Sequence, residues 1–324
     1  MPLTNFPNGI SAFGVPMMGS LPMTFGKVLF VDYAHGSDGN GGLSSEEALK
    51  TLTQAYSLAT TDHDDLILVR GGSTVVDAPI LWSKNRIHVI GVDGTFGRIN
   101  QQGAKIWAAT AGATSYVLKV TGTRNSFTNL KIIQASTVAT ALQVVVDAGE
   151  GTLWENCSMI FEVADNLDLT TSTELLCGGD SSNFIRCSFG TDVLLTSAAR
   201  AVVTLDNVSG SASGDAAKSN RFVDCEFLIM SSSASALLLK VADTGAAKFL
   251  NIFERPKFLA AINQTSVAIT LDDAVASATG LVEGNILIIS PATNCTKVGD
   301  TITDNVKVIG NAPSTTSGIG ATPA

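Results

Sequence analysis

Acidic side chains that lie close together could do chemistry in this sequence, because two carboxylates can serve as general acid and general base. Asp272 and Asp273 are adjacent, and Asp224 and Glu226 are two residues apart. Neighbouring residues on a strand point to opposite faces, so the adjacent pair is more typical of a turn. The position of Asp224 carries no consistent charge in the other copies of the repeat described below. The sequence therefore predicts no catalytic site.

A metal site is the second kind of chemistry to consider. The pattern Asp38-x-Asn40-x-Gly42 is similar to the start of a Ca²⁺-binding loop, but the bidentate carboxylate that should close the loop is not at the required spacing. Short Asx side chains of this kind also stabilise turns, and that interpretation is favoured. There is no Cys-x-x-Cys pair, and the three histidines lie away from the cysteines. We therefore expect no metal and no cofactor.

Three of the cysteines recur at equivalent positions along the chain. Cys157, Cys187 and Cys225 hold the same place in a repeat, so stacked units would place them in one interior file. Small apolar residues that fill a core are the simplest interpretation of this file. Free buried thiols favour assembly in a reducing cytoplasm.

A repeat must position all of these residues. A bulky apolar residue is followed by a polar residue, a small one and another apolar one, beginning at Phe127, Trp154, Phe184, Phe222 and Phe253. The intervals of 27, 30, 38 and 31 residues are typical of a solenoid whose units stack and share one core. Alternating apolar residues within each unit indicate strands. The sequence therefore predicts an all-β fold, a single-stranded parallel β-helix.

Composition limits the partners of such a rod. The 324 residues carry a formal net charge of −9 and no basic run, so we expect no nucleic acid partner. No stretch reaches the roughly 18 apolar residues of a membrane span, so we expect no membrane partner either. Charged residues are only 15 %, against about 25 % in typical soluble domains. This low charge favours a surface that is partly covered by neighbouring molecules.

Residues 1–26 are predicted to form an extended N-terminal arm. They carry no charge and four prolines, which disfavour a helix or a central strand. They are nevertheless too apolar for a solvated linker, so they either lie on their own body or dock on another protein. The arm side chains predicted to bind a partner are Phe6, Ile10, Phe13, Val15, Met17, Met18, Leu21, Met23 and Phe25.

The rest of the chain divides into three segments. Residues 27–65 are predicted to hold a first strand and a capping helix, since Ser44 and Glu47 have the spacing of a capping box. An amphipathic helix laid across the first coil would cover its open apolar end. Residues 66–310 are predicted to form the parallel β-helix, with eight or nine coils. Residues 311–324 are predicted to be a flexible or docked tail.

The stretch from Val31 to Gly72 resembles the opening of right-handed parallel β-helix proteins, a group that includes polysaccharide lyases, pectin-degrading enzymes and phage tailspikes. The matching residues are Val31, Asp32, Gly36, Asp38, Asn40, Gly42, Leu43, Ser44, Ala48, Lys50, Thr51, Leu52, Asp65, Ile67, Val69 and Gly72. The resemblance implies the right-handed form of the fold, which carries enzymes and inert rods alike. Arg255 and Lys257 are similar to a substrate clamp of pectin hydrolases, but the other signatures of those enzymes are absent.

A second resemblance concerns the arm. The residues Asn5-Phe6-Pro7-Asn8-Gly9-Ile10-Ser11, followed by Phe13-Gly14-Val15-Pro16, are similar to the start of virion structural proteins of tailed phages. This resemblance implies a component of the virion, assembled in the host cytoplasm.

These observations favour a phage virion structural protein that is not an enzyme. Within that class the prediction is a capsid decoration, or cement, protein that is anchored by its arm to the major capsid protein or another virion protein. A homo-oligomer is expected by analogy with the fold, with a trimer favoured. The alternative is a tailspike or fibre that binds or depolymerises host surface polysaccharide. A free-standing bacterial polysaccharide lyase is the third hypothesis.

Overall fold

The structure is a computed structural model. It describes residues 26–72, 74–76, 79–92, 102–108, 115–162, 171–190, 200–208, 216–231, 236–241, 247–262 and short strands at 11–12, 15–16, 267–271, 284–289, 292–293, 297–298 and 306–309. Side chains are described for these residues from 26 to 259, apart from 74–76, 231, 247 and 248.

Three parallel sheets run the length of the described chain, and each coil adds one strand to each sheet in turn. Strands are numbered in chain order. The first sheet contains β3 (Val28–Val31), β4 (Asp65–Arg70), β7 (Ile87–Val92), β10 (Ser126–Thr128), β13 (Leu153–Glu155), β16 (Asn183–Ile185), β20 (Arg221–Val223), β23 (Ala247–Glu254), β26 (Gly284–Ile289) and β29 (Val306–Ile309), with β19 (Ala217–Lys218) beside β23.

The other two sheets are built in the same way. The second sheet contains β5 (Thr74–Val76), β8 (Lys105–Ala108), β11 (Lys131–Gln134), β14 (Ser158–Phe161), β17 (Ser188–Gly190), β21 (Glu226–Ser231), β24 (Lys257–Ile262) and β27 (Ala292–Thr293). The third sheet contains β6 (Ile80–Trp82), β9 (Leu118–Val120), β12 (Gln143–Asp147), β15 (Thr173–Cys177), β18 (Ala201–Leu205), β22 (Leu237–Val241), β25 (Val267–Leu271) and β28 (Lys297–Val298).

The repeat of bulky residues sets the register of the first sheet. Phe127 pairs with Trp154, Trp154 with Phe184, Phe184 with Phe222, and Phe222 with Phe253. All five side chains are buried, and successive rings lie 4.3 to 6.3 Å apart between centroids. The prediction of a parallel β-helix is therefore confirmed, because each unit places its large side chain on that of the unit before.

The polar residue of the repeat makes the turn from the first sheet to the second. The residues at this place have left-handed backbones, with φ between 48° and 57°; they are Asn129, Asn156, Arg186, Asp224 and Arg255. The residue after the turn then points into the core. For this reason Cys157, Cys187 and Cys225 lie buried as free thiols in one file, as predicted.

The capping helix α1 (Leu52–Leu58) begins later than the sequence predicts. Leu49 is held as an extended residue, since its N–H donates to the carbonyl of Phe30. Thr51 is the N-cap instead of Ser44, and its hydroxyl accepts from Gln54 N at 3.1 Å. The helix still covers the end of the core, because Tyr56 packs on Trp82 with ring centroids 4.2 Å apart.

Two short strands lie within the predicted arm. The strands β1 (Ser11–Ala12) and β2 (Val15–Pro16) pair in antiparallel fashion, so the backbone reverses direction between them. The arm side chains predicted to bind a partner, and the predicted tail, lie outside the described residues. No helix in the described segments is long and apolar enough to cross a membrane.

The carboxyl group of Asp147 lies inside the rod. Asp147 on β12 pairs with Val120 and Cys177, both of which face the core, and it is fully buried. Trp154 Nε1 donates to its Oδ2, and Gly149 N donates to its Oδ1, each at 3.1 Å. Burial outweighs these hydrogen bonds and raises the pKa of Asp147 to about 6.

We expect Asp147→Asn to remove a pH-dependent loss of stability. A raised carboxyl pKa means that the folded state holds the proton more tightly, so stability is present below pH 4 and is lost as pH rises through 6. The gain in unfolding free energy from the substitution should therefore grow by about 2 kcal/mol between pH 4 and pH 7.5. Urea unfolding at both pH values measures it.

Asp62→Asn is the control for this experiment, since Asp62 is exposed and lies in a turn whose left-handed backbone asparagine tolerates. It should show no comparable growth. An equal gain or loss for Asp147→Asn at both pH values would contradict the raised pKa of Asp147.

Candidate functional site

The outer face of the first sheet brings together a serine, a histidine and an aspartate from three successive coils. The hydroxyl oxygen of Ser126 lies 2.7 Å from Nδ1 of His88. The other ring nitrogen, Nε2, lies 3.5 Å from Oδ1 of Asp64. A hydroxyl, an imidazole and a carboxylate in this order form the constellation that activates serine nucleophiles. The longer contact is within the range that free enzymes show before substrate tightens the site.

Strand register places Ser126 beside His88, and Asp64 lies two residues before Leu66, the residue opposite His88 on the other side. His88 and Ser126 are directly opposite each other in β7 and β10. Asn125 fixes this pairing, because its Oδ1 accepts from Ile87 N and its Nδ2 donates to the carbonyl of Lys84, both at 3.0 Å. Asp64 directly precedes β4, the neighbouring strand on the other side of β7. We therefore assign the row Asp64, His88 and Ser126 as the candidate active site.

Arg86 holds the carboxylate of this row in place. Its Nε donates to Asp64 Oδ1 at 2.9 Å, and its Nη2 donates to Oδ2 in a bidentate pair. Burial acts to raise the pKa of Asp64, but Arg86 and His88 outweigh it and hold the pKa below its ordinary value. The carboxylate is therefore ionised wherever the imidazole can act as a base.

The two neighbours of His88 also select its tautomer. An ionised carboxylate accepts hydrogen bonds only, so Asp64 favours a proton on Nε2. Nδ1 is then free to accept the hydroxyl proton of Ser126. The ring nitrogens are used in the opposite order from the serine proteases, which leaves the proton transfer itself unchanged.

Apolar side chains surround the row. Leu66 is next to His88 in the register of the sheet, and Leu153 is next to Ser126. Leu66, Leu68 and Ile90 form a buried cluster on this outer face. His88 keeps 19 % of its side chain exposed and Ser126 keeps 8 % of its surface. The row is therefore partly shielded from solvent, which strengthens charge interactions within it.

The other two histidines also contact aspartates, but without a hydroxyl. His35 Nδ1 lies 3.2 Å from Asp32, whose carboxylate also binds Arg70 and two backbone N–H groups. Burial acts against these contacts, yet they lower the pKa of Asp32 to about 2. His63 lies 2.7 Å from Asp65, which accepts from Lys27 N and Thr60 N. These pairs fasten turns, and neither presents a nucleophile.

The acidic and basic residues singled out in the sequence form ion pairs between neighbouring coils. Arg255 Nε donates to Asp224 Oδ1 at 2.7 Å, and Lys257 Nζ donates to Glu226 Oε1 at 2.7 Å. The similarity of Arg255 and Lys257 to a substrate clamp therefore does not extend to free cations. Asp272 and Asp273 lie outside the described residues.

The Asp38 loop forms a turn. Asp38 Oδ1 accepts from Lys50 N at 3.0 Å and from Thr51 N at 2.9 Å, and Asn40 Nδ2 donates to the carbonyl of Ala48. The interpretation as a turn stabilised by Asx side chains is confirmed. In the part of the chain that the structure describes, no group of three or more histidine, cysteine or acidic side chains is arranged to hold a metal ion.

The sequence interpretation did not find the row of Asp64, His88 and Ser126. Its repeat begins at Phe127, whereas the first two residues of the row lie in the preceding coils. Extending the repeat backwards aligns Phe127 with Val89 and Ile67, the residues opposite it in the sheet. That alignment would have placed Ser126 beside His88.

No family model matches the chain, and no curated protein matches it. The solved structure of pectate lyase Pel9A matches with a TM-score of 0.53 and 16 % identity, over 87 % of this chain and 72 % of that one. The two share the parallel β-helix fold. Pectin methylesterase PemA from Erwinia chrysanthemi matches with a TM-score of 0.44 and 13 % identity, over 87 % and 92 % of the chains.

The prediction that this chain is not an enzyme was wrong. The finding against it is the match to pectate lyase Pel9A, which is an enzyme, although at 16 % identity the likeness shows the fold alone. The sequence interpretation considered paired carboxylates, metal ligands and a substrate clamp, but not a site in which successive coils contribute side chains of different types. Neither the comparisons nor the described residues support a phage virion or capsid decoration.

Proposed function

We propose that this chain is a serine esterase that removes acyl groups from a polysaccharide. The observation that carries the proposal is the contact of His88 with Ser126 on one side and Asp64 on the other. The fold supports the polymeric substrate, because strands of successive coils form one continuous sheet face along which an extended chain can lie. The name of pectate lyase Pel9A, which matches this fold, also points to a polysaccharide.

The reaction follows from the row. The hydroxyl oxygen of Ser126 bonds to the ester carbonyl carbon while His88 Nδ1 takes its proton. The carbon–oxygen bond to the sugar then breaks, and the sugar oxygen receives that proton from His88. Water hydrolyses the acyl-serine by the same route and regenerates the hydroxyl. Asp64 stabilises the imidazolium that forms in each half of the reaction.

The predicted setting on a phage particle is compatible with this activity. A virion protein that removes acyl groups from host surface polysaccharide is a form of the tailspike or fibre alternative. The arm of residues 1–26, the trimer and the attachment to a virion protein stay predictions, since they concern residues or molecules outside those described.

A fluorophosphonate tests the nucleophile directly. We expect it to add one phosphonyl group to Ser126, because these reagents trap serines whose proton is taken by a nearby base. His88→Gln should lower the labelling rate by about a hundredfold or more, since glutamine can contact the hydroxyl but cannot act as the base. Intact mass and peptide mapping identify the modified residue.

Acetate release from an O-acetylated polysaccharide tests the substrate. The wild type should release acetate without shortening the polymer, whereas chain cleavage without acetate release would indicate a depolymerase instead. Absence of labelling at Ser126 together with absence of acetate release would show that the row only holds coils together.

A further inference from the structure

Arg124 is the arginine beside the candidate active site that has no ionic partner. Its side chain is exposed, and its backbone N–H donates to the carbonyl of Glu150 at 2.7 Å. It lies two residues before Ser126 at the start of β10, with a left-handed φ of 54°. No hydrogen bond or ion pair from its guanidinium reaches any described residue.

An arginine without an ionic partner is unusual among the described residues. Every other arginine in the described segments bonds a carboxylate; the pairs are Arg70 with Asp32, Arg86 with Asp64, Arg186 with Glu155, Arg200 with Glu174, Arg221 with Glu254 and Arg255 with Asp224. Lys84, close to Arg86 in sequence, donates to the carbonyls of Tyr56, Ser57 and Ala59 at the end of α1. Arg124 is thus the arginine near the row that is available to a ligand.

The neighbouring coils leave room beside it. The strand register places Arg86 one coil before Arg124 and Gly151 one coil after it, all three with left-handed backbones. Gly151 has no side chain, and a methyl group there would lie 3.7 Å from Cγ of Arg124. Arg86 is turned to Asp64, so the space over Gly151 is open to a group bound by Arg124.

We infer that Arg124 binds a carboxylate at the far end of the acyl group, so that the substrate is a half-ester of a dicarboxylic acid. This inference rests on the proposed esterase function. Arg124 is two residues before Ser126, so their Cα atoms are at most about 7 Å apart, a distance that a four-carbon acyl group and the long arginine side chain can bridge. A carboxylate matches the paired N–H groups of arginine, which bind it through two parallel hydrogen bonds.

Two esters of equal acyl length test the inference. The 4-nitrophenyl monoester of succinic acid carries the carboxylate, and 4-nitrophenyl butyrate lacks it. We expect the wild type to favour the succinate in kcat/KM and Arg124→Gln to lower this preference by about tenfold to a hundredfold. Arg124→Lys should retain part of it, because lysine keeps the charge but not the fork of donors. Arg221→Gln, on the same face but paired with Glu254, is the control.

The outcomes separate the two levels of the argument. Hydrolysis of neither ester would overturn the esterase and this inference together. Hydrolysis of both with an unchanged preference in Arg124→Gln would leave the esterase standing and overturn only the role of Arg124. A preference that weakens with added salt in the wild type, but not in Arg124→Gln, would further support a charge contact.

Discussion

Replacing Ser126 with alanine is expected to lower ester hydrolysis by at least a thousandfold. The substitution removes the oxygen that forms the covalent bond to the acyl group, and no other described hydroxyl lies beside His88. Loss of a nucleophile of this kind removes most of the rate enhancement of serine hydrolases, on the order of 10³ or more. Initial rates of acetate release at fixed enzyme concentration measure the change.

Thr128→Val is the matched control for this substitution. Thr128 lies on the same strand and the same outer face as Ser126, and valine preserves its shape while removing its hydroxyl. We expect it to keep wild-type activity. Both variants should unfold at the wild-type urea midpoint, and an active Ser126→Ala would refute the assigned nucleophile.

The second large effect concerns an ion pair that is buried inside the rod. Arg200 and Glu174 are 1 % and 0 % exposed, and Nη2 of Arg200 donates to Oε2 of Glu174. The guanidinium also lies over the ring of Phe161, 5.3 Å from its centroid. Burial raises the pKa of Glu174 in spite of Arg200. The acid therefore depends on its partner to remain charged.

Arg200→Met should destabilise the protein by about 3 to 5 kcal/mol, because it leaves Glu174 buried without a compensating charge. The double variant Glu174→Leu/Arg200→Met should recover most of the loss, since apolar side chains of similar volume replace both charges. Urea unfolding followed by tryptophan fluorescence gives the free energies.

Arg221→Met provides the comparison at the surface. Its pair with Glu254 is half exposed on the arginine side, so we expect a change within about 1 kcal/mol. A loss as large as that of Arg200→Met would show that ion pairs hold the coils together regardless of burial. A double variant no more stable than Arg200→Met would show that the loss comes from packing against Phe161.

Much of the fold could be predicted because its signal is local to each coil. Phe127 and its successors return with one polar residue after each strand, and the polar residue is the turn that the backbone needs. The start of α1 could not be predicted in the same way. Ser44 and Glu47 have the right spacing, but the pairing of Leu49 with Phe30 is a tertiary contact that extends the chain until Thr51.

The candidate active site could not be predicted from spacing alone. Asp64 and His88 are 24 residues apart, and His88 and Ser126 are 38 apart. These intervals differ because the segments between strands differ in length, so no fixed period connects the row. Only the pairing of β4, β7 and β10 brings the three side chains together.

The position of the candidate active site within the rod has a consequence for how such a protein can change. Asp64, His88 and Ser126 belong to the coils next to α1, and in a stacked array each unit touches only its immediate neighbours. Whole units can therefore be gained or lost at the opposite end without disturbing the reacting atoms. The length of the rod and the activity of the site can therefore change independently, in evolution or by design.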